Sequence, residues 1–161
     1  DMIILKDEIS SQENMEAWLS QLGHADNRIS NSGLVERMNP RFVSCDFARQ
    51  EACLAFEVYD WELNPGGTLH GGIIVTGFDM AFGLTCHYYA KQHKITTVNL
   101  MTTFLKPILQ GDTVNYHVKI TSLGRTLVSM TAEARLSRGD ILAATATATF
   151  LRLDKVFDVP I

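Results

Sequence analysis

The sequence predicts an α+β domain in which a long antiparallel β-sheet wraps around one central helix. Three observations carry that reading. The stretch from His70 to Ala90 is apolar nearly all round, and a helix of that kind in a globular protein must be buried on most sides. Long alternating segments follow it between Val98 and Phe150, which is the signature of strands. Turn residues separate each segment from the next, so neighbouring strands run antiparallel.

The elements follow in chain order. Residues 1–40 read as an N-terminal helix and an irregular segment, and residues 41–161 as the main part of a single domain. Ser10 and Ser11 precede Met15, Trp18, Leu19 and Leu22, which fall on one face of a short helix ending at Gly23. His24 to Pro40 is polar and irregular. Two short strands are expected over Arg41 to Ala48 and Glu51 to Tyr59. Asn64-Pro65-Gly66-Gly67 is a turn by composition. About twenty residues then make a helix of roughly 30 Å. Four rows of side chains should cover it: Val98, Leu100, Thr102 and Phe104; Val114, Tyr116, Val118 and Ile120; Val128 to Leu136; and Leu142 to Phe150. Alanines dominate the last row, and small side chains let a sheet approach a helix closely.

Composition narrows the function. The chain has 161 residues, 46% hydrophobic and 20% charged, with a net charge of -4. That is ordinary for a globular domain, and a general nucleic-acid binder would usually be basic. Cys45, Cys53 and Cys86 form no CxxC pair and are odd in number, so neither a disulfide framework nor a zinc site is indicated. Met2-Ile3-Ile4-Leu5 is too short for a secretory signal and is followed by Lys6-Asp7-Glu8, so a cytoplasmic location is expected. The apolar stretch up to Ala90 contains Asp79, and a charge at mid-bilayer is costly. A membrane span is therefore not expected.

Asp79 is the anomaly. No other acidic residue lies between Glu62 and Asp112, and burying an unpaired carboxylate is expensive. Ionisable groups placed at such cost concentrate at functional sites, although capping or pairing with a cation such as Arg125 would be a structural alternative. His70-Gly71-Gly72 opens the helix. Free N–H groups and a partial positive charge at a helix start can stabilise an oxyanion. Gly71 and Asp79 stand eight residues apart, about 12 Å along a helix, too far for both to touch one reacting atom in one subunit. An antiparallel second copy would bring one subunit's Gly71 near the other's Asp79. Asn64 is a turn former whose amide could also orient a carbonyl or a water. The remaining histidines show no metal-ligand spacing with carboxylates, so no metal and no cofactor are expected. GxSxG, Walker and GxGxxG patterns are absent.

Asn64-x5-His70-Gly71-Gly72-x6-Asp79 resembles the signature of hotdog-fold acyl-CoA thioesterases of the phenylacetate-degradation type, the PaaI-like group. Thr97-Val98-x5-Phe104-Leu105-Lys106-Pro107, Gly111-Asp112, Gly124-Arg125 and the Ala-rich closing strand extend the resemblance over roughly residues 39 to 153. It implies hydrolysis of an acyl-CoA to free acid and CoA. Gly71 N–H would polarise the thioester carbonyl, with Asn64 and His70 beside it. Asp79 of the partner subunit would be general base or nucleophile, assisted by Thr97. Gly72, Lys106, Gly124 and Arg125 would lie toward the coenzyme A. It also implies homodimers, often paired into tetramers. A non-catalytic acyl-CoA-binding hotdog domain is the alternative. A pure binder needs no buried carboxylate, however, and the pairing of histidine and acid that marks hotdog dehydratases is not found.

Overall fold

The computed structural model describes residues 10–22, 33–91 and 93–156; the readings placed on residues 1–9, Gly23 and His24 lie outside them. Helices α1 (Gln12–Leu19) and α2 (Gly33–Met38) precede strands β1 (Arg41–Asp46) and β2 (Glu51–Glu57). A short 3-10 turn, Asp60–Glu62, leads to α3 (Gly71–Ala90). Strands β3 (His93–Phe104), β4 (Thr113–Leu123), β5 (Leu127–Leu136) and β6 (Ile141–Val156) complete the chain. The six strands form one sheet in the order β1-β2-β4-β5-β6-β3, and every pairing is antiparallel. One face packs on α3, the hotdog arrangement. Among the described residues no helix is long and apolar enough to cross a membrane.

The rows expected on β4 and β5 are buried as read: Val114, Tyr116, Val118 and Ile120, then Val128, Met130, Ala132, Ala134 and Leu136. On β6, Ala144, Ala146, Ala148 and Phe150 hold the core face. Phe78 and Phe82 of α3 are fully buried against them, and burial of one such ring stabilises by about 1.5–3 kcal/mol. Helix and sheet approach closely at Gly77. A Cβ there would lie 2.2 Å from the Tyr116 hydroxyl, which donates to the Ile74 carbonyl at 3.2 Å.

Four details depart from the sequence reading. Helix α1 ends at Leu19, short of Leu22, which packs on the main core instead. The segment before β1 is not wholly irregular: α2 forms because Met38 is buried and the Arg37 guanidinium stacks over the Trp61 ring at 4.8 Å. Strands β1 and β2 each stop two residues early, the first at Asp46, whose side chain accepts the Arg49 N–H to close the turn. On β3 the expected row is broken. A bulge between Thr97 and Asn99 shifts the register against β6, and Val98 is left 58% exposed while Ile95 and Leu100 pack on the core.

Helix α1 covers the C-terminal end of α3. Ser11 caps it by accepting the Asn14 N–H. Met15, Trp18 and Leu19 form a second apolar cluster with Ala52 and Tyr88. The Tyr88 hydroxyl donates to Asn14 Oδ1 at 2.8 Å, and Phe47 N–H donates to Gln12 Oε1 at 2.7 Å. At the other end of the sheet, buried Asp112 accepts from Arg138 Nε at 2.6 Å and from the Leu109 N–H at 2.8 Å. Burial opposes the Asp112 charge, but these bonds and the Arg138 charge outweigh it and hold the carboxyl below its ordinary range. Burial, joined at Cys45 by the Glu16 and Asp46 charges, pushes the Cys45 and Cys53 thiols up to about 11.

Because Tyr116 leaves no room for a Cβ at position 77, Gly77→Ala should destabilise the fold by about 1–3 kcal/mol, the cost of overpacking a dense core. Urea denaturation measures it, and adding Tyr116→Phe should recover little, because the ring carbons Cζ and Cε2 would still lie at 2.5 and 2.9 Å from that Cβ.

Candidate active site

His70 sits at the N-cap of α3. Its Nδ1 accepts the Gly72 N–H at 3.1 Å, and its carbonyl accepts from Ile73 and Ile74 N–H. An accepting Nδ1 puts the ring proton on Nε2, on the exposed side of an exposed residue. The backbone of His70 is held by its own N–H donating to the Glu62 carbonyl at 2.9 Å. The Gly71 N–H donates to no acceptor among the described residues, as expected for the first N–H of a helix. It points out of the positive end of a helix twenty residues long. Gly72, expected to face coenzyme A, has its N–H taken by His70 instead.

Asn64 organises the loop before the helix. Its Oδ1 accepts from Gly66 N–H at 2.9 Å and Thr68 N–H at 3.2 Å, and its Nδ2 donates to Thr68 Oγ1 at 2.9 Å. One Nδ2 hydrogen is left over. The turn-forming reading of Asn64 is thus realised, and its amide carbonyl is already engaged.

Asp79 is not buried in the single chain. It is half-exposed, because its face of α3 is not covered by the chain's own sheet. Its Oδ1 accepts from Thr97 Oγ1 at 2.7 Å, so the partner is a hydroxyl and not the cation Arg125. The bulge explains how Thr97 reaches it. Strict alternation would put Thr97 on the face opposite Leu100, whereas the extra residue at Val98 lets both point toward the helix.

The candidate residues fall into two groups. At the helix start lie Asn64, His70 and Gly71, with Phe104 of β3 against Gly71. Lys106 follows Phe104, its N–H donating to the Ala143 carbonyl at the start of β6. Two helical turns on lie Asp79 and Thr97. Thr97 pairs with Phe150 late in β6, and the Gly124–Arg125 turn adjoins that end, since Arg152 N–H donates to the Thr126 carbonyl. Nine residues of β6 separate the contacts of the Lys106 and Arg125 loops, about 30 Å of strand. Lys106 and Arg125 of one chain therefore cannot hold the same phosphates. Both side chains are exposed. Gly124 allows its turn to be tight: a Cβ there would lie 2.7 Å from the Leu127 carbonyl oxygen.

A groove of about 840 Å³ lies on the outer face of the sheet, lined in part by Cys53, His117, Lys119, Glu133 and Arg135. It contains none of the residues above, so volume does not locate the site here. Among the described residues no group of three or more His, Cys, Asp or Glu is placed to hold a metal ion.

The Thioesterase superfamily model matches residues 66–143, from the turn before α3 into β6. An esterase-named protein of Pseudomonas aeruginosa is 29% identical over 121 residues, 74% of this chain and 88% of that one. The Escherichia coli PaaI protein from the phenylacetic acid degradation operon superposes with a TM-score of 0.72 at 20% identity, over 86% of this chain and 98% of its own. A Streptococcus mutans protein crystallised with acetyl CoA superposes with a TM-score of 0.69 at 25% identity, over 81% of this chain and 100% of its own. The chain thus has the hotdog fold, and from the turn before α3 into β6 it is similar to the Thioesterase superfamily.

Thr97→Val keeps the shape of the side chain and removes the hydroxyl that Asp79 accepts. A hydrogen bond to a charged group contributes about 1.5–3 kcal/mol, so turnover of a thioester substrate should fall by about 10- to 100-fold while the circular dichroism spectrum is unchanged.

Proposed function

We propose that the protein hydrolyses acyl-CoA thioesters in a site shared between two antiparallel copies of the chain. The observation that carries this is the separation within α3. A free Gly71 N–H at the helix start and a Thr97-supported carboxylate at Asp79 stand eight residues apart on one continuous helix, about 12 Å. Each is half of a hydrolytic site. The unpaired edge of β3, with Val98, Met101 and Phe104 exposed along it, supports pairing with a second copy, since an open apolar edge invites another strand. The acetyl CoA bound by the Streptococcus mutans relative supports the choice of coenzyme A thioesters.

In this reading the thioester carbonyl lies against one chain's Gly71 N–H. The developing oxyanion is stabilised there by the N–H and by the positive end of the helix. Asp79 of the other chain takes a proton from water as the water attacks the carbonyl carbon; in the alternative route its carboxylate attacks directly. The C–S bond then breaks and the CoA thiolate leaves. A carboxylate activates water without a metal, so activity is expected to survive EDTA.

Asp79→Asn removes the base and keeps the shape, so turnover should fall by about 10²-fold or more in a thiol-release assay over short, long and aromatic acyl-CoAs. Wild-type turnover in this variant would refute the role. Asn64→Ala and Asp79→Ala chains damage different halves. Unfolded and refolded together, they form hybrid dimers with one intact site, and an isologous dimer mixed at random should recover about a quarter of wild-type activity.

The half-site geometry also separates the two cations. Arg125 lies toward the Asp79 end of its own chain, and its guanidinium can grip phosphate with two hydrogen bonds. Arg125→Ala should raise KM for acyl-CoA and leave kcat nearly unchanged, because the nucleotide is bound equally in ground and transition states. An acyl-pantetheine, which lacks the nucleotide, should show no such penalty.

A further inference from the structure

Phe104 closes β3 with a ring that is 53% exposed. It nevertheless lies on Gly71: a Cβ at that position would have the Phe104 Cζ at 3.5 Å and the Cε1 at 3.7 Å. Apart from its chain neighbours His70 and Gly72, the three atoms nearest that point all belong to this ring. The strand is fixed where it delivers the ring. Phe104 pairs with Ala144, and the two following N–H groups, of Leu105 and Lys106, both donate to the Ala143 carbonyl at 2.8 and 3.0 Å. A large apolar side chain is thus held beside a backbone N–H that has no acceptor among the described residues. Val98 and Met101 share its exposure along the β3 edge, but the atoms nearest the Gly71 Cβ position are those of Phe104.

We infer that Phe104 is a positioning residue that keeps water off the Gly71 N–H. This rests on the proposed thioester hydrolysis. A hydrogen bond to a developing oxyanion is worth more where water cannot compete and the local dielectric is low. The ring supplies that dry wall at the one N–H that neither the His70 cap nor the helix satisfies. Ground-state binding of the carbonyl gains little from it, because a neutral oxygen carries less charge than the oxyanion. The contribution therefore appears in kcat and not in KM.

The test is steady-state kinetics on the full chain with Phe104→Ala and Phe104→Leu, using whichever acyl-CoA the wild type turns over fastest. Phe104→Ala should lower kcat by about tenfold, part of the 10²–10³ that a whole oxyanion donor supplies, with KM and thermal midpoint near wild type. Phe104→Leu, which restores an apolar wall, should recover most of the loss. A wild-type kcat in Phe104→Ala overturns the inference, as does an equal loss in both variants or a loss confined to KM. Unfolding of Phe104→Ala would show the ring to be core and would overturn it too. If the wild type releases no thiol from any acyl-CoA, the proposed function itself fails, and this inference falls with it. That result is distinct from an active wild type with an indifferent Phe104.

Discussion

Helix α3 and β4 touch where Gly77 meets Tyr116, and the rest of the molecule is arranged around that contact. The hydroxyl of Tyr116 occupies the volume a Cβ would need and bonds to the Ile74 carbonyl. Burial pushes its ionisation well above the ordinary phenol range, so it remains a neutral donor. This fixes the height of the helix above the sheet. At that height Phe78 can stack edge-on against Tyr116 at 4.8 Å between ring centroids, and the alanines of β6 suffice as a floor. A bulkier residue at position 77 would lift the helix and loosen each of these contacts together.

The same geometry decides which polar groups stay available. The sheet covers Phe78 and Phe82 but not the side of α3 that carries Asp79. β3 is the edge strand on that side, and its bulge turns Thr97 toward the helix. At the other end of the helix, the polar groups of Asn64 and His70 are largely spent on their own loop and cap. What remains unspent is the Gly71 N–H at one end and a carboxylate two turns away. The fold therefore presents an N–H donor and a carboxylate that cannot meet within a chain.

Much of this was legible in the sequence. The helix bounds, three of the four long core rows and the turns between them follow from periodicity, because burial on one face of a strand imposes a period of two. Asp79 stood out because a carboxylate is out of place in an apolar helix. The β3 row was misread because a bulge has no compositional signal: Thr97, Val98 and Asn99 look like any alternating run, and only the register against β6 reveals the extra residue. Helix α2 was missed because six residues carry too little pattern. Separation of Lys106 from Arg125 was also hidden, since it depends on strand order, in which β3 pairs with the last strand and not with its successor. Phe104 could have been singled out only by knowing that β3 ends beside the helix start.

The proposed reaction releases a free thiol into a protein that has cysteines of its own. Disulfide exchange needs a thiolate. With Cys45 and Cys53 pushed up to about 11, a thiolate at either position is scarce at neutral pH. Cys86 is fully enclosed in the core. The apolar packing that builds the fold thus makes its sulfur chemically quiet. Disulfides such as CoA disulfide and oxidised glutathione should find little to exchange with at these positions. The same quietness makes thiol-trapping reagents suitable reporters of its activity, because the colour they develop comes from product and not from the native enzyme.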